Sequence, residues 1–197
     1  MNWPSGRYSR GFTLVELMVV VVIITGLTAL AVPSIVRQMR DRRTRQTAEE
    51  IASIYRQARL RAMGRGAAVM VAYDTTTGFA TSEGIVGSAD NCSQLPVSSC
   101  SAAVWNPVST WNTPATITRQ VSVVDAISGN GDKAGGDANL QVCFTPMGRT
   151  QFRLAATAAF ALMTGVPVVK VYSNDGGSLT RYVLIPPNGL ARTDVAQ

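Results

Sequence analysis

Histidine is absent from this 197-residue chain, and charged residues make up only 15% of it. The sequence also has no GxSxG nucleophile elbow, no P-loop and no Cys/His cluster with the spacing of metal ligands. These absences argue against hydrolases, phosphoryl-transfer enzymes and zinc enzymes. We therefore predict no catalytic residues, no metal and no cofactor, and we keep a membrane-anchored enzyme as a disfavoured alternative.

Charge is scarcest near the N-terminus. The 25 residues from Phe12 to Val36 contain one ionisable side chain, that of Glu16. A helix of this length, at about 1.5 Å per residue, exceeds the roughly 30 Å hydrocarbon core of a bilayer. We therefore predict a transmembrane helix over residues 12–36.

Two other interpretations of this apolar run are weaker. A secretory signal peptide would have a shorter apolar core before its cleavage site, although Ala29-Leu30-Ala31 superficially resembles such a site. A helix packed on the core of a soluble domain would normally keep a polar face toward water, and LMVVVVII has none. The membrane helix is therefore favoured, but by itself it leaves Glu16 unexplained, because a lone charge in hydrocarbon costs several kcal/mol.

The net charge of +6 is unevenly distributed. Residues 66–197 hold seven basic and eight acidic side chains, so the excess lies in Arg7, Arg10 and the segment 37–65. The basic balance is thus poor evidence that the C-terminal part binds nucleic acid. The arginines after the apolar run would by themselves place the larger domain in the cytoplasm, under the positive-inside rule.

Residues 37–65 are predicted to continue the same helix as an amphipathic segment. Apolar residues recur at steps of three and four from Ala48 onward, and this face is expected to pack on a domain. Gly64 or Gly66 supplies a stop signal. Pro33 should kink the helix or melt it locally.

Residues 66–197 are predicted to be β-rich. The segment 85–116 has many Ser, Asn, Pro and Gly residues without periodicity, which indicates an irregular insertion. The predicted fold class is α+β, a long N-terminal helix packed on a mostly antiparallel β-sheet domain. The predicted strand segments are 67–74, 79–84, 116–127, 139–149, 166–173 and 179–192, the last two forming a hairpin across Asn174-Asp175-Gly176-Gly177.

Three cysteines are present. Cys92 and Cys100 bracket a seven-residue loop inside the predicted insertion, so a disulfide between them is expected if the domain is exported. Cys143 lies among apolar strand residues and is predicted to be a buried free thiol. Three unpaired thiols remain the alternative, because sequence supplies no Cα distances.

The N-terminus resembles a known processing signal. The motif Gly-Phe-Thr-Leu-x-Glu-Leu begins at Gly11 and is preceded by Arg7 and Arg10. This pattern resembles the class III leader of type IV pilins and type II secretion pseudopilins. The resemblance implies that residues 1–11 are a leader, that prepilin peptidase cleaves between Gly11 and Phe12, and that the new amine of Phe12 is methylated. Gly26 and Pro33 fall where such helices commonly carry helix-loosening residues.

The β-rich part resembles the GspH/FimT type of minor pilin. "IASIYRQARLRAMGRGAAVMV" is similar to its passage from helix to first strand, and "VCFTPMGRTQFR" and "RYVLIPPNGLAR" to its strand–glycine endings. The resemblance implies a structural subunit of a type IV pilus or a type II secretion pseudopilus. Glu16 would then pair with the Phe12 amine of a neighbouring subunit and set the register.

The resemblance also implies partners and a location. The partners are other pilin or pseudopilin subunits, prepilin peptidase, the inner-membrane assembly platform and membrane lipid. Before assembly, the protein would be a single-pass protein of the bacterial inner membrane with residues 66–197 in the periplasm. This orientation is opposite to the one that the positive-inside rule gives. A DNA-binding pilin, using the arginines of residues 37–65 on phosphates, is the alternative within this class.

Overall fold

One long helix, α1, runs from Leu14 to Arg65 in the computed structural model. The residues described are 11–74, 78–87, 95–102, 104–112, 117–125, 140–154, 156–163, 165–174 and 178–195. Gly66 ends the helix with a φ of 68°, and its N–H donates to the carbonyl of Ala62 at 3.1 Å. The predicted continuity of the helix past residue 36 and its glycine stop are confirmed.

The chain divides into two compact units, Met1–Met39 and Arg40–Gln197. In the first unit, the described residues from Leu14 onward form the N-terminal part of α1. No single helix among the described residues is long and apolar enough by itself to cross a membrane; Leu14–Ala29 and Ser34–Arg65 meet that criterion only together, as a bent pair. The transmembrane helix over residues 12–36 stays a prediction.

The second unit is built from the C-terminal part of α1 and from β-strands. The strands are β1 (Val69–Asp74), β2 (Gly78–Val86), β3 (Leu95–Pro96), β4 (Val104–Trp111), β5 (Ile117–Asp125), β6 (Gln141–Phe144), β7 (Thr150–Arg153), β8 (Ala161–Leu162), β9 (Gly165–Ser173), β10 (Arg181–Leu184) and β11 (Arg192–Val195). Every pairing among them is antiparallel. The predicted α+β class is confirmed.

The strands form two sheets. Seven strands make the first, in the order β3-β2-β1-β6-β7-β8, with β4 also pairing with β2. Four strands make the second, in the order β11-β10-β9-β5. The predicted hairpin is present, since β9 and β10 pair with Val171 opposite Arg181.

A single core cluster joins α1 to both sheets. Small residues on one face of the helix, with Ile51 and Tyr55, are buried against it. The first sheet contributes Val71 and Phe144, and the second contributes Val169 and Val183, among others. Alanines on the helix face let the backbone of α1 approach the strands closely, so the face predicted from the three- and four-residue spacing is the buried one.

The prediction of an irregular insertion over residues 85–116 is wrong in part. Strand β4 lies within it and pairs with β2 along seven register positions, from Phe79 opposite Trp111 to Ile85 opposite Val104. Pro107 and the polar residues of β4 hid the strand from pattern analysis. Proline is tolerated on an edge strand, and the register shift between Thr81 and Ser82 shows that β4 bulges beside it.

Candidate functional site

The predicted cleavage site lies just before α1, outside regular secondary structure. A side chain at Gly11 would meet no atom within 4 Å, and Phe12 is 80% exposed. A glycine at this site leaves the backbone free to take up an extended conformation in a protease.

Thr13 caps the first turn of the helix. Its Oγ1 accepts a hydrogen bond from the backbone N–H of Glu16 at 3.2 Å, and its carbonyl accepts one from Leu17 at 3.2 Å. Thr13-x-x-Glu16 thus has the spacing of a capping box. Glu16 is exposed and is the acid of the first turn, where a carboxylate is stabilised by the helix dipole.

Beyond Glu16, the surface of α1 is apolar and open. Large apolar side chains at least 40% exposed lie all around this part of the helix: Leu17, Met18, Val19, Val20, Val21, Val22, Ile23, Ile24, Leu27, Val32, Ile35, Val36 and Met39. Apolar patches of this extent mark sites of contact with a membrane or another protein.

The hydroxyls within this segment bond to the helix backbone. The Thr25 hydroxyl donates to the Val21 carbonyl at 2.7 Å, and the Thr28 hydroxyl lies 3.0 Å from the Ile24 carbonyl. These hydroxyls can therefore enter an apolar environment without losing a hydrogen bond.

This arrangement has a known counterpart. Residues 6–32 match the prokaryotic N-terminal methylation motif. The methylation motif covers the predicted cleavage site, Glu16 and most of the apolar run of residues 12–36. It makes the chain type IV pilin-like at its N-terminus and indicates a substrate of prepilin peptidase. No curated protein and no solved structure is significantly similar to the chain.

The roles assigned to individual residues stay predictions. A side chain at Gly26, within α1, would meet no atom within 4 Å, and Pro33 lies in the same helix. Arg7 and Arg10 of the leader fall outside the described residues. Among the residues that the structure does describe, no three His, Cys, Asp or Glu side chains are grouped to hold a metal ion.

The predicted disulfide between Cys92 and Cys100 is wrong, and so is the free thiol at Cys143. Cys100 is bonded to Cys143, with 6.0 Å between their Cα atoms. Cys92 lies outside the described residues. The short loop between Cys92 and Cys100 favoured their pairing, but in the folded chain Cys100 lies against Cys143 of the first sheet.

Backbone hydrogen bonds explain that placement. The carbonyl of Val97 accepts from Ala68 at 2.6 Å, and the N–H of Val97 donates to Gly84 at 2.9 Å. Cys100 follows three residues later and is buried beside Ala68 and Cys143. The segment before β4 is therefore anchored to the core strands.

A charge cluster that the sequence analysis missed fixes the end of α1. Glu83 on β2 is only 5% exposed. Its carboxylate accepts from Nη2 of Arg61 at 3.0 Å and from Nε of Arg65 at 2.8 Å. The sequence did contain a clue to this cluster. Arg61 and Arg65 are spaced i, i+4 and so lie on one helix face, and Glu83 is the only acid in the predicted strand 79–84.

The two arginines control the ionisation of Glu83. Burial is the largest single influence and disfavours the charged form, but the hydrogen bonds and charges of Arg65 and Arg61 together outweigh it. The pKa of Glu83 therefore lies below its ordinary value of 4.5. The cluster ties the last turns of the helix to the first sheet.

Proposed function

We propose that this protein is a minor pilin or pseudopilin of the GspH/FimT type, a structural subunit of a type IV pilus or type II secretion pseudopilus. It acts by packing rather than by catalysis. Its partners are other subunits, prepilin peptidase, the inner-membrane assembly platform and, before assembly, membrane lipid.

One observation carries the proposal. The methylation motif includes the start of a helix whose described large apolar side chains are exposed from Leu14 to Met39, while one face of the same helix is buried against the sheets further along. An apolar surface of this kind can be covered by lipid before assembly and by the equivalent helices of other subunits afterwards. Transfer between these two environments exposes little apolar surface to water.

Glu16 supplies the register in this proposal. Cleavage after Gly11 creates a positive amine on Phe12, which would enter an apolar filament core. A carboxylate from the adjacent subunit pairs with it, and a subunit in the wrong register leaves two unpaired charges in a low dielectric. The exposed position of Glu16 in the first turn is compatible with such a contact.

The disulfide supports a periplasmic location for residues 66–197. Disulfides form and persist in the periplasm and are rare in the cytosol. The Cys100–Cys143 bond thus favours export of the β-sheet domain. We give it more weight than the count of arginines after the apolar segment, which points to the opposite orientation.

Intact mass of the membrane-extracted protein tests the proposal. Loss of residues 1–11 and the gain of one methyl group are expected, and a bulky residue in place of Gly11 should block both changes. An unprocessed mass, or cleavage near Ala31, would contradict the assignment.

Glu16→Ala separates assembly from anchoring. The variant should insert in the membrane and be cleaved normally, because its apolarity rises and the Gly11–Phe12 bond is unchanged. It should be missing from sheared filaments or pseudopili. Glu49→Ala, which removes an exposed acid further along the same helix, is the matched control and should be incorporated. Normal incorporation of Glu16→Ala would refute the pairing role.

DNA binding remains the alternative within this class. Several of the arginines it would use are engaged within the chain, since Arg61 and Arg65 bind Glu83 and Arg45 binds Glu49. Salt-dependent binding of duplex DNA by the full chain in detergent would favour this alternative over a purely structural role.

A further inference from the structure

The second unit presents two different surfaces on opposite flanks of α1. Arg59 faces the turn between β6 and β7, where its Nη2 lies 3.8 Å from the Cβ position of Gly148. Ile54 and Arg61 face β2 and β4. Strands β4 and β7 lie on opposite sides of β1 in the first sheet, so these flanks point away from each other.

A rigid turn projects from the first flank. Thr145 N–H donates to the Arg149 carbonyl at 2.9 Å, and the Arg149 N–H donates to the Thr145 Oγ1 at 3.1 Å. Gly148 has a φ of 79°, which closes the turn without strain. Met147 at its tip is 88% exposed. Because the backbone of the turn is already ordered, docking costs little backbone entropy, and the entropy lost is mainly that of the Met147 side chain.

A groove lies on the opposite flank. Its helix wall is Ile54, Gln57, Ala58 and Arg61, its strand wall is Thr81, Val108 and Ser109, and its volume is about 320 Å³. Val108 is the bulged residue of β4, because Ser109 pairs with Thr81 and Pro107 with Ser82. The bulge thus shapes the groove.

The groove has room for the methionine of the turn, and the one cation that lines it, Arg61, is paired with Glu83. At about 30 Å³ per water molecule, the groove has the volume of roughly ten waters, more than the four heavy atoms of a methionine side chain need. Arg149 is exposed beside Met147, and Glu50 is exposed one helical turn before Ile54. Methionine and arginine are also enriched where proteins contact each other.

We propose that the Thr145–Arg149 turn of one copy docks on a second copy, with Met147 in the groove and Arg149 beside Glu50. The two surfaces lie on different flanks, so the contact is heterologous and each docked copy leaves a free groove and a free turn. Such contacts produce open assemblies unless rotation closes a ring. The contact uses residues 40–197 alone and extends the proposed function to the lateral packing of the globular units.

Photo-crosslinking tests the contact without altering the side chain. Cells expressing the full chain receive photoreactive methionine, and heavy-isotope-labelled and unlabelled copies are co-assembled before irradiation. Hybrid peptides joining the β6–β7 turn of one copy to the β4 or α1 groove peptides of another are the expected product. Their mixed labels distinguish them from links within one copy.

Met18 provides an internal reference, because it lies in the apolar segment that the proposed function places against neighbouring helices. Hybrid links at Met18 without any at Met147 would overturn the lateral contact and leave the proposed function standing. Absence of hybrid links at both Met18 and Met147 would count against the lateral contact and against the proposed function. Links joining Met147 to Met147 of another copy would replace the heterologous contact with a two-fold symmetric one.

Charge reversal gives a second, independent readout. Arg149→Glu and Glu50→Arg should each cause loss of the Met147 hybrid peptide, and the two substitutions together should restore it. Arg192→Glu combined with Glu50→Arg is the matched control, since Arg192 is also exposed but lies on β11. Restoration by the control pair, or by neither pair, would refute the contact between Arg149 and Glu50.

Discussion

The same residue type is exposed in the first part of α1 and buried in the second. Ile23 in the first unit is 55% exposed, whereas Ile51 in the second is fully buried. Both belong to helix α1. From Ala48 onward, apolar residues recur at three- and four-residue steps among charged ones, so one face can pack on the sheets while the other stays in water.

The difference shows that hydrophobicity alone does not decide burial within a chain. The first part has no polar face, and packing it on its own domain would leave apolar residues in water on the other side. Under the proposed function, lipid and then other subunits cover it. The second part completes its burial internally, so its contribution is to folding stability.

The largest effect should come from removing the disulfide of the second unit. Cys100 and Cys143 are 43 residues apart, and closing a loop of that length in the unfolded chain is worth about 4 kcal/mol in the chain-entropy model. Cys100→Ala with Cys143→Ala should lower the free energy of unfolding by about that amount, measured with urea and tryptophan fluorescence on the full chain in detergent. Cys92→Ala is the control, and an equal loss there would contradict the pairing.

A pair of identical substitutions tests the contrast within the helix directly. Ile51→Ala opens a cavity in the core and should cost about 3 kcal/mol of folding stability. Ile23→Ala should leave urea unfolding of the same chain unchanged and reduce incorporation into filaments instead. Destabilisation by both substitutions, to a similar degree, would show that the first part also packs within its own chain.

The Glu83 cluster should make the second unit acid-sensitive. Because the pKa of Glu83 is lower in the folded protein than in the unfolded chain, its contribution is full above pH 4.5 and is lost as the pH falls through the folded value. Glu83→Gln should cost about 2 kcal/mol at neutral pH. The urea midpoint should also fall less steeply with acid than in the wild type.

Glu49→Gln is the control for this experiment, because it alters a solvent-exposed pair on the same helix. It should leave the acid dependence of the urea midpoint unchanged. The same acid dependence in the wild type and in Glu83→Gln would show that the cluster does not couple stability to pH.

The smallest effect is expected at the centre of the core. The Tyr55 hydroxyl is buried, has no hydrogen-bond partner among the described residues, and has a pKa raised first of all by burial. Tyr55→Phe removes this group and keeps the ring contacts with Phe79 and Phe144. The free energy of unfolding, measured by thermal denaturation, should therefore fall by less than about 0.5 kcal/mol, or rise. A clear loss would reveal a partner for the hydroxyl.

Local patterns predicted much of the fold. The spacing of Ile51 and Tyr55 identified the buried helix face, and Gly66 marked the helix end. Alternation and turn residues located the β9–β10 hairpin. These features depend on residues close together in sequence. Strand β4 was missed because Pro107 is acceptable only at an edge, and edge position is a property of the assembled sheet.

The helix, the β-rich class and the processing motif could all be predicted from the amino-acid sequence, because periodicity and the residues around Gly11 act locally. The pairing of Cys100 with Cys143, and of Glu83 with both Arg61 and Arg65, emerged only in the folded chain. The partners in each case come from segments far apart in the chain. Their meeting depends on how strands pair and how the helix lies across them, which no local pattern encodes.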